Sequence, residues 1–382
     1  MPSSRKLINI FTKHYQLDFK NNAFDFLRLI LALGIVYYHA RGFIVTNSPW
    51  QFIEYKGASD FSMGNVQLGR VEVYLFFIIS GFLITMSLER SKNVQDFFEK
   101  RIKRIYPAYI VCLLVTILFF LPLTAVINHA TTFPHYVKTF WPESLKYLIQ
   151  NLFDPVIYTG FNQIYDHLNK PRLEINGPVW SLYYEIRAYI LIVILSYLGC
   201  LKQLWKLLIP LGICWVLYIF YVFGIIESTI INQIYYQANY FLFTYFLFGA
   251  LAYKCINLIR FNWIYFIISI LALIAGLKFD LVPVLFPPAM TYFILFLAAT
   301  LPFKNISQKF GDLSYGIYIY SWPIQVLLLA IGWPKSFKNY LFMSLLLSVG
   351  AGYLSWNLIE SRFLKKKLKK NISEPESVVV AL

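Results

Sequence analysis

The chain has 382 residues, 58% of them hydrophobic and only 14% charged, with a mean hydropathy of +0.58. A soluble surface needs more charge than this, so a soluble enzyme, a disordered chain and a disulfide scaffold are all excluded and a membrane protein is indicated. The net charge of +15 would suggest nucleic acid on a soluble chain, but in an apolar one it marks cytoplasmic loops, which retain Lys and Arg and set topology.

Lipid offers no partner to backbone N–H and C=O groups, so each crossing requires a helix of about 20 mostly apolar residues. Candidate spans lie at about 24–40, 71–88, 105–123, 178–199, 205–224, 237–256, 262–278, 283–301, 313–332 and 339–361. The expected fold is all-α, a polytopic integral membrane helix bundle of about ten transmembrane helices with both termini cytoplasmic. Residues 1–23 form a cytoplasmic segment with no cleavable signal, 24–363 the transmembrane domain, and 364–382 a basic, disordered tail. With this topology 22 of the 34 Lys and Arg residues fall inside and 10 outside, leaving Arg28 and Arg187 within spans. The longest outer connection, about 124–177, carries His129, His135 and His167, and a loop of that length is functional or partly structured. Cys112, Cys200, Cys214 and Cys255 sit in or beside apolar runs without metal-ligand spacing and are expected as small buried hydrophobes.

Ionisable groups within spans cost about 2.5–3.5 kcal/mol to insert and are therefore site candidates. In the first span Arg28 and His39 are 11 residues apart, which places them on one helix face about 16 Å apart along the axis. The structural alternative is that Arg28 snorkels to headgroups and His39 caps the helix end. Glu72 starts the second span, where Ser80-Gly81 either contributes to a site or permits close helix contact. A basic stretch, Lys100-Arg101-Ile102-Lys103-Arg104, abuts the inner end of the third. In the fourth, Ser181 and Glu185 are one turn apart, Glu185 about 10 Å inside the outer end. Its alternative is a structural pair with Arg187. The ninth presents Tyr315, Tyr318, Trp322 and Gln325 on one stripe with Pro323 as a kink, a pattern that serves packing or binding.

In this order the segments resemble the acyltransferase-3 family of integral membrane acyltransferases that modify surface glycans. The likeness is carried by Phe26-Leu27-Arg28 running to Tyr38-His39, Leu75-Phe76-Phe77-Ile78-Ile79-Ser80-Gly81-Phe82, Arg101-Ile102-Lys103-Arg104-Ile105-Tyr106-Pro107, Trp180-Ser181-Leu182 with Glu185, and Glu360-Ser361-Arg362-Phe363. Two departures stand out. Tyr74 replaces the acidic residue that many members carry before Leu-Phe-Phe, with Glu72 two residues earlier, and Ser321-Trp322-Pro323 replaces His-x-Pro. The soluble hydrolase-like domain that some relatives add is not expected after the last span, and Gly311-Asp312 is not read as an esterase motif.

The resemblance implies an acyl-CoA donor, acetyl-CoA first, an acceptor hydroxyl on lipopolysaccharide, exopolysaccharide or a lipid-linked precursor, and the bacterial inner membrane. Arg28, Arg101, Lys103 and Arg104 are the expected cofactor-binding cations, since guanidinium and ammonium groups hold phosphates. Their alternative is the topogenic bias alone. His39 is the expected base for the attacking hydroxyl, with Glu185 or Glu72 orienting it. The pantetheine arm would thread from the inner face toward His39, and the glycan would enter through the 124–177 loop. No metal or nucleic acid is expected. The rival class is a transporter or flippase for a glycan or anionic solute, which predicts substrate movement without consumption of acetyl-CoA.

Overall fold

A computed structural model describes residues 14–45, 68–127, 132–153, 176–225, 241–333 and 336–364. Its helices are α1 (Phe24–Val45), α2 (Leu68–Glu89), α3 (Val94–Val115) with its continuation Leu121–Ile127, α4 (Phe133–Phe153), α5 (Trp180–Tyr197), α6 (Leu204–Val222), α7 (Leu242–Lys254), α8 (Trp263–Lys278), α9 (Val282–Thr300), α10 (Ile306–Phe310), α11 (Ser314–Ala330) and α12 (Phe337–Ser355). Among the described residues there is no strand, only an isolated bridge between Tyr15 and Phe261.

A helix lies within each expected span, but seven are long and apolar enough to cross a membrane: Phe24–Phe43, Gly69–Glu89, Val94–Ile127, Gly177–Tyr197, Leu204–Val222, Val282–Thr300 and Phe337–Leu364. α7 and α8 are apolar but shorter, and α11 has 17 residues interrupted by Tyr, Ser and Gln. The chain is thus an all-helical, multi-pass membrane protein.

The long connection is not a simple loop. It contains α4, whose Tyr136 and Tyr147 are buried and whose Asn151 accepts a hydrogen bond from Tyr109 of α3 at 3.3 Å. Mixed polarity and an internal Pro142 hid its helical period in the sequence. His135 lies on α4, paired with Thr139 at 3.2 Å. His129, His167 and the tail beyond 364 lie outside the described residues.

Packing follows from small residues and from prolines. α2 crosses α7 at reciprocal glycines. A Cβ on Gly81 would sit 1.9 Å from the Phe246 carbonyl oxygen, and one on Gly249 would sit 2.1 Å from that of Ile78. Glycine here permits backbone contact, as in membrane helix pairs generally. Gly81→Ala must push the two helices apart and is expected to cost at least about 1–3 kcal/mol, seen as a lowered thermal midpoint of the purified protein. Pro323 in α11 removes the donor for the Ile319 carbonyl, and Asn176 Nδ2 fills the vacancy at 2.9 Å. Pro287 in α9 frees the Pro283 carbonyl in the same way, and it accepts from Trp215 Nε1 at 2.8 Å.

α6, α8 and α12 turn apolar side chains outward, among them Ile213, Leu271 and Leu346, as lipid-facing helices do. α2, α7, α9 and α11 are the most enclosed. Helix ends converge at one basic end: Ala23 N–H donates to the Ala298 carbonyl at 3.0 Å, Asn305 N–H to that of Asn22 at 3.1 Å, and Lys254 pairs with Glu89 at 2.6 Å. The starts of α1, α3 and α11 and the ends of α2, α7 and α9 therefore meet there.

Candidate active site

At this basic end α1, α2, α3, α5 and α11 enclose a cavity of about 260 Å³. Arg28 enters from the second turn of α1. Arg101, Arg104 and Ile105 share one face of α3, being three and four residues apart. α5 contributes Ser181, Glu185 and Tyr189 at successive turns, and α11 contributes Ser314, Tyr315 and Tyr318. α2 supplies Ser80 and a mainly apolar wall.

Two carboxylates organise the arginines. Asp312, just before α11, accepts from Arg28 Nη1 at 2.8 Å and from Arg104 Nη2 through the same oxygen, Oδ2. Its other oxygen accepts from Ser314 Oγ at 2.6 Å and Ser314 N–H at 3.3 Å, a helix-start cap that fixes the carboxylate. Burial disfavours the ionised carboxylate, yet Arg104 and Arg28, with Ser314, outweigh it and hold Asp312 below its ordinary range. Glu360, 1% exposed, accepts from Arg104 Nη1 at 3.2 Å and from Ser355 Oγ at 2.9 Å. It ends the π-helical turn Trp356–Glu360 that continues α12, and such turns redirect side chains at functional sites. A second π-turn, Thr116–Phe120, carries α3 into Leu121–Ile127.

Arg101 is placed differently. Its Nη2 donates to Ser87 Oγ at 3.3 Å, and its buried Nε has no hydrogen-bond partner among the described residues. Glu185 accepts from the Tyr189 hydroxyl at 2.5 Å. Arg187 does not pair with it but lies over the Tyr183 ring, 3.1 Å from the centroid. The Tyr318 hydroxyl donates to the Pro178 carbonyl at 2.5 Å, so Ser181 Oγ, 2.6 Å away, donates to Tyr318.

The structure thus gathers Arg28, Arg101, Arg104 and Glu185 and leaves three expected residues elsewhere. Lys103 lies about 200° around α3 from Arg101 and forms an exposed pair with Glu99. His39 meets the edge of Trp322 in α11, ring centroids 4.9 Å apart, and does not line the cavity. Glu72 is buried at 8% exposure, its Oε1 packed where a Cβ on Gly34 would lie 3.0 Å away and its Oε2 without a partner among the described residues. Gly34 and Tyr38 face α2, whereas His39 faces α11, so Glu72 and His39 occupy different sides of α1. Glu185 lies with the arginines rather than with His39. Sequence reasoning missed Asp312 and gave Glu360 no role. The legible signal was local: an acid immediately before an apolar run reads as a helix-start cap.

A multi-pass helical membrane protein with an arginine-rich cavity between its central helices defines the class. The chain belongs to the acyltransferase-3 family, whose model, described as an acyltransferase domain, matches residues 21–359. It is 26% identical over 368 residues to an O-acetyl transferase of Shigella phage Sf6, covering 92% of this chain and 98% of that protein. It is 25% identical over 378 residues to Nodulation protein 10 of Rhizobium leguminosarum bv. viciae, covering 90% of this chain and 93% of that one. No solved structure matches. The protein is a membrane acyltransferase.

Proposed function

We propose that this acyltransferase takes an acetyl group from acetyl-CoA and passes it to a hydroxyl of a surface polysaccharide or its lipid-linked precursor in the bacterial inner membrane. Ten helices with both termini cytoplasmic are part of this reading, supported by the 22 to 10 distribution of Lys and Arg. The observation that carries it is Arg101, a cavity-lining guanidinium bonded to a serine and to no carboxylate among the described residues. It is available for a phosphate, whereas Arg28 and Arg104 are already charge-compensated. The acetyl group is favoured because the phage relative is named an O-acetyl transferase.

In this mechanism His39 removes the proton of the acceptor hydroxyl as its oxygen attacks the thioester carbonyl. The tetrahedral intermediate collapses, the C–S bond breaks, and the coenzyme A thiolate takes the proton back from the imidazolium. His39 lies about 16 Å along α1 from Arg28, so the donor's arm must extend from the cavity along α11 toward Trp322.

Membranes carrying the protein are incubated with acetyl-CoA labelled in the acetyl group, and label is followed into polysaccharide. Transfer is expected. Arg101→Gln should raise the KM for acetyl-CoA about tenfold or more, the effect of losing one charge-assisted phosphate contact, while Lys103→Gln stays within about twofold of wild type, as an exposed pair implies. Polysaccharide that stays unlabelled while all label remains in acetyl-CoA would overturn this donor and acceptor.

A further inference from the structure

Arg101 on α3 and Glu185 on α5 line the same cavity with opposite charges, yet no ion pair joins them among the described residues. Each is only partly engaged: Arg101 by Ser87 through Nη2, Glu185 by Tyr189 through Oε1. A cation and a carboxylate that line one cavity without pairing match a ligand that is anionic at one end and carries N–H or O–H donors further along. An inorganic anion would be repelled by Glu185. A sugar would leave Arg101 without a counter-charge and would meet the apolar wall of Phe77, Leu83 and Ile84.

One segment of the proposed donor meets both demands and has an apolar part for the wall. The phosphopantetheine arm carries a phosphate, then a dimethyl-substituted carbon, then a hydroxyl and two amides. At about 260 Å³ the cavity falls below the roughly 300–1,000 Å³ of sites that enclose drug-sized ligands, so it has room for part of the arm and not for the whole coenzyme.

We propose that Glu185 is a specificity residue for the donor, accepting a hydrogen bond from the hydroxyl or first amide N–H of the pantetheine arm while Arg101 holds its phosphate; this rests on the acyl-CoA donor proposed above. Glu185 then acts in donor selection and not as the orienting partner of His39. The Tyr189 hydroxyl fixes the carboxylate, and Ser181, one turn away, is occupied with Tyr318.

The test uses the purified full chain in lipid nanodiscs with saturating glycan and three donors: acetyl-CoA, acetyl-4′-phosphopantetheine and S-acetyl-N-acetylcysteamine, which lacks the hydroxyl, the first amide and the phosphate. Glu185→Gln should raise the KM for the first two about tenfold with kcat within about twofold, and leave kcat/KM for the third within about twofold, because a charge-assisted hydrogen bond becomes a neutral one. Glu185→Asp should recover part of the loss. Equal slowing of all three donors at unchanged KM, or a change in the glycan KM alone, overturns the assignment. Should Glu185→Gln fail to fold, wild type decides: acetyl-4′-phosphopantetheine should exceed the cysteamine thioester in kcat/KM by at least about a hundredfold, and equality overturns it. Wild type that transfers from no donor refutes the acyl-CoA reading itself, whereas wild-type transfer with an unaffected Glu185→Gln refutes only the role of Glu185.

Discussion

Replacing His39 by alanine is expected to lower kcat for acetyl transfer by about 10²–10⁴-fold, the range a positioned general base contributes, with the KM for acetyl-CoA nearly unchanged. An alcohol is a poor nucleophile until its proton is taken, and among the described residues His39 is the histidine within a candidate membrane span. Its KM effect should be small because His39 does not line the arginine cavity. The replacement also removes a packing contact with Trp322, itself 7% exposed and in edge contact with Phe43. Trp322→Leu separates the two roles, since it disrupts the same contact and keeps the imidazole. It is expected to retain far more activity than His39→Ala at equal folded yield. Rates measured on the two variants side by side decide the matter, and a His39→Ala protein with half of wild-type kcat would end the general-base role.

How far the site could be read from sequence depended on whether its signals lay on one helix. Arg28, Arg101 and Arg104 stood out because a charge inside or beside an apolar run has a cost that needs explaining, and the structure brings all three to one cavity. Lys103 was included because the basic run Lys100–Arg104 abuts the inner end of its span, and the helical period turns it away from Arg101. The partnering of His39 with Glu185 or Glu72 required knowledge of which helices are neighbours, and period alone cannot supply that. α1 presents Gly34 and Tyr38 to α2 and His39 to α11, so Glu72 is separated from the imidazole by the body of the helix, while Glu185 lies with the arginines. Asp312 was hardest to foresee, because its partners Arg28 and Arg104 are 284 and 208 residues away. No local spacing reports such a contact. The apolar runs, by contrast, located a helix within each of the ten expected spans, and the α2–α7 glycines showed that Gly81 serves close approach while Ser80 lines the cavity. α4 escaped notice because Lys138, Pro142, Glu143 and Lys146 interrupt its apolar positions.

Asp312→Asn is expected to be the most destabilising single replacement in the site. Removing one partner of a buried ion pair leaves the other charge uncompensated, at about 3–5 kcal/mol, and here one carboxylate oxygen serves two guanidiniums. Glu360→Gln should cost less, since Arg104 keeps Asp312. The pH dependence has a definite sign. Asp312 is held below its ordinary value of 3.8, so its contribution is fully present above that value and is lost only as pH falls through the lower folded value. Thermal midpoints of wild type and Asp312→Asn should therefore differ by the same amount at pH 6 and pH 8. A second replacement identifies the cause. With Arg28→Met added to Asp312→Asn, the guanidinium left without its carboxylate is gone, and Arg104 still faces Glu360 at 3.2 Å. The double variant should melt above the single one, the non-additivity expected of residues in one charge network. A double variant that melts lower would mean that Arg28 and Asp312 stabilise the bundle independently, and the charge-compensation account of Arg28 would fail.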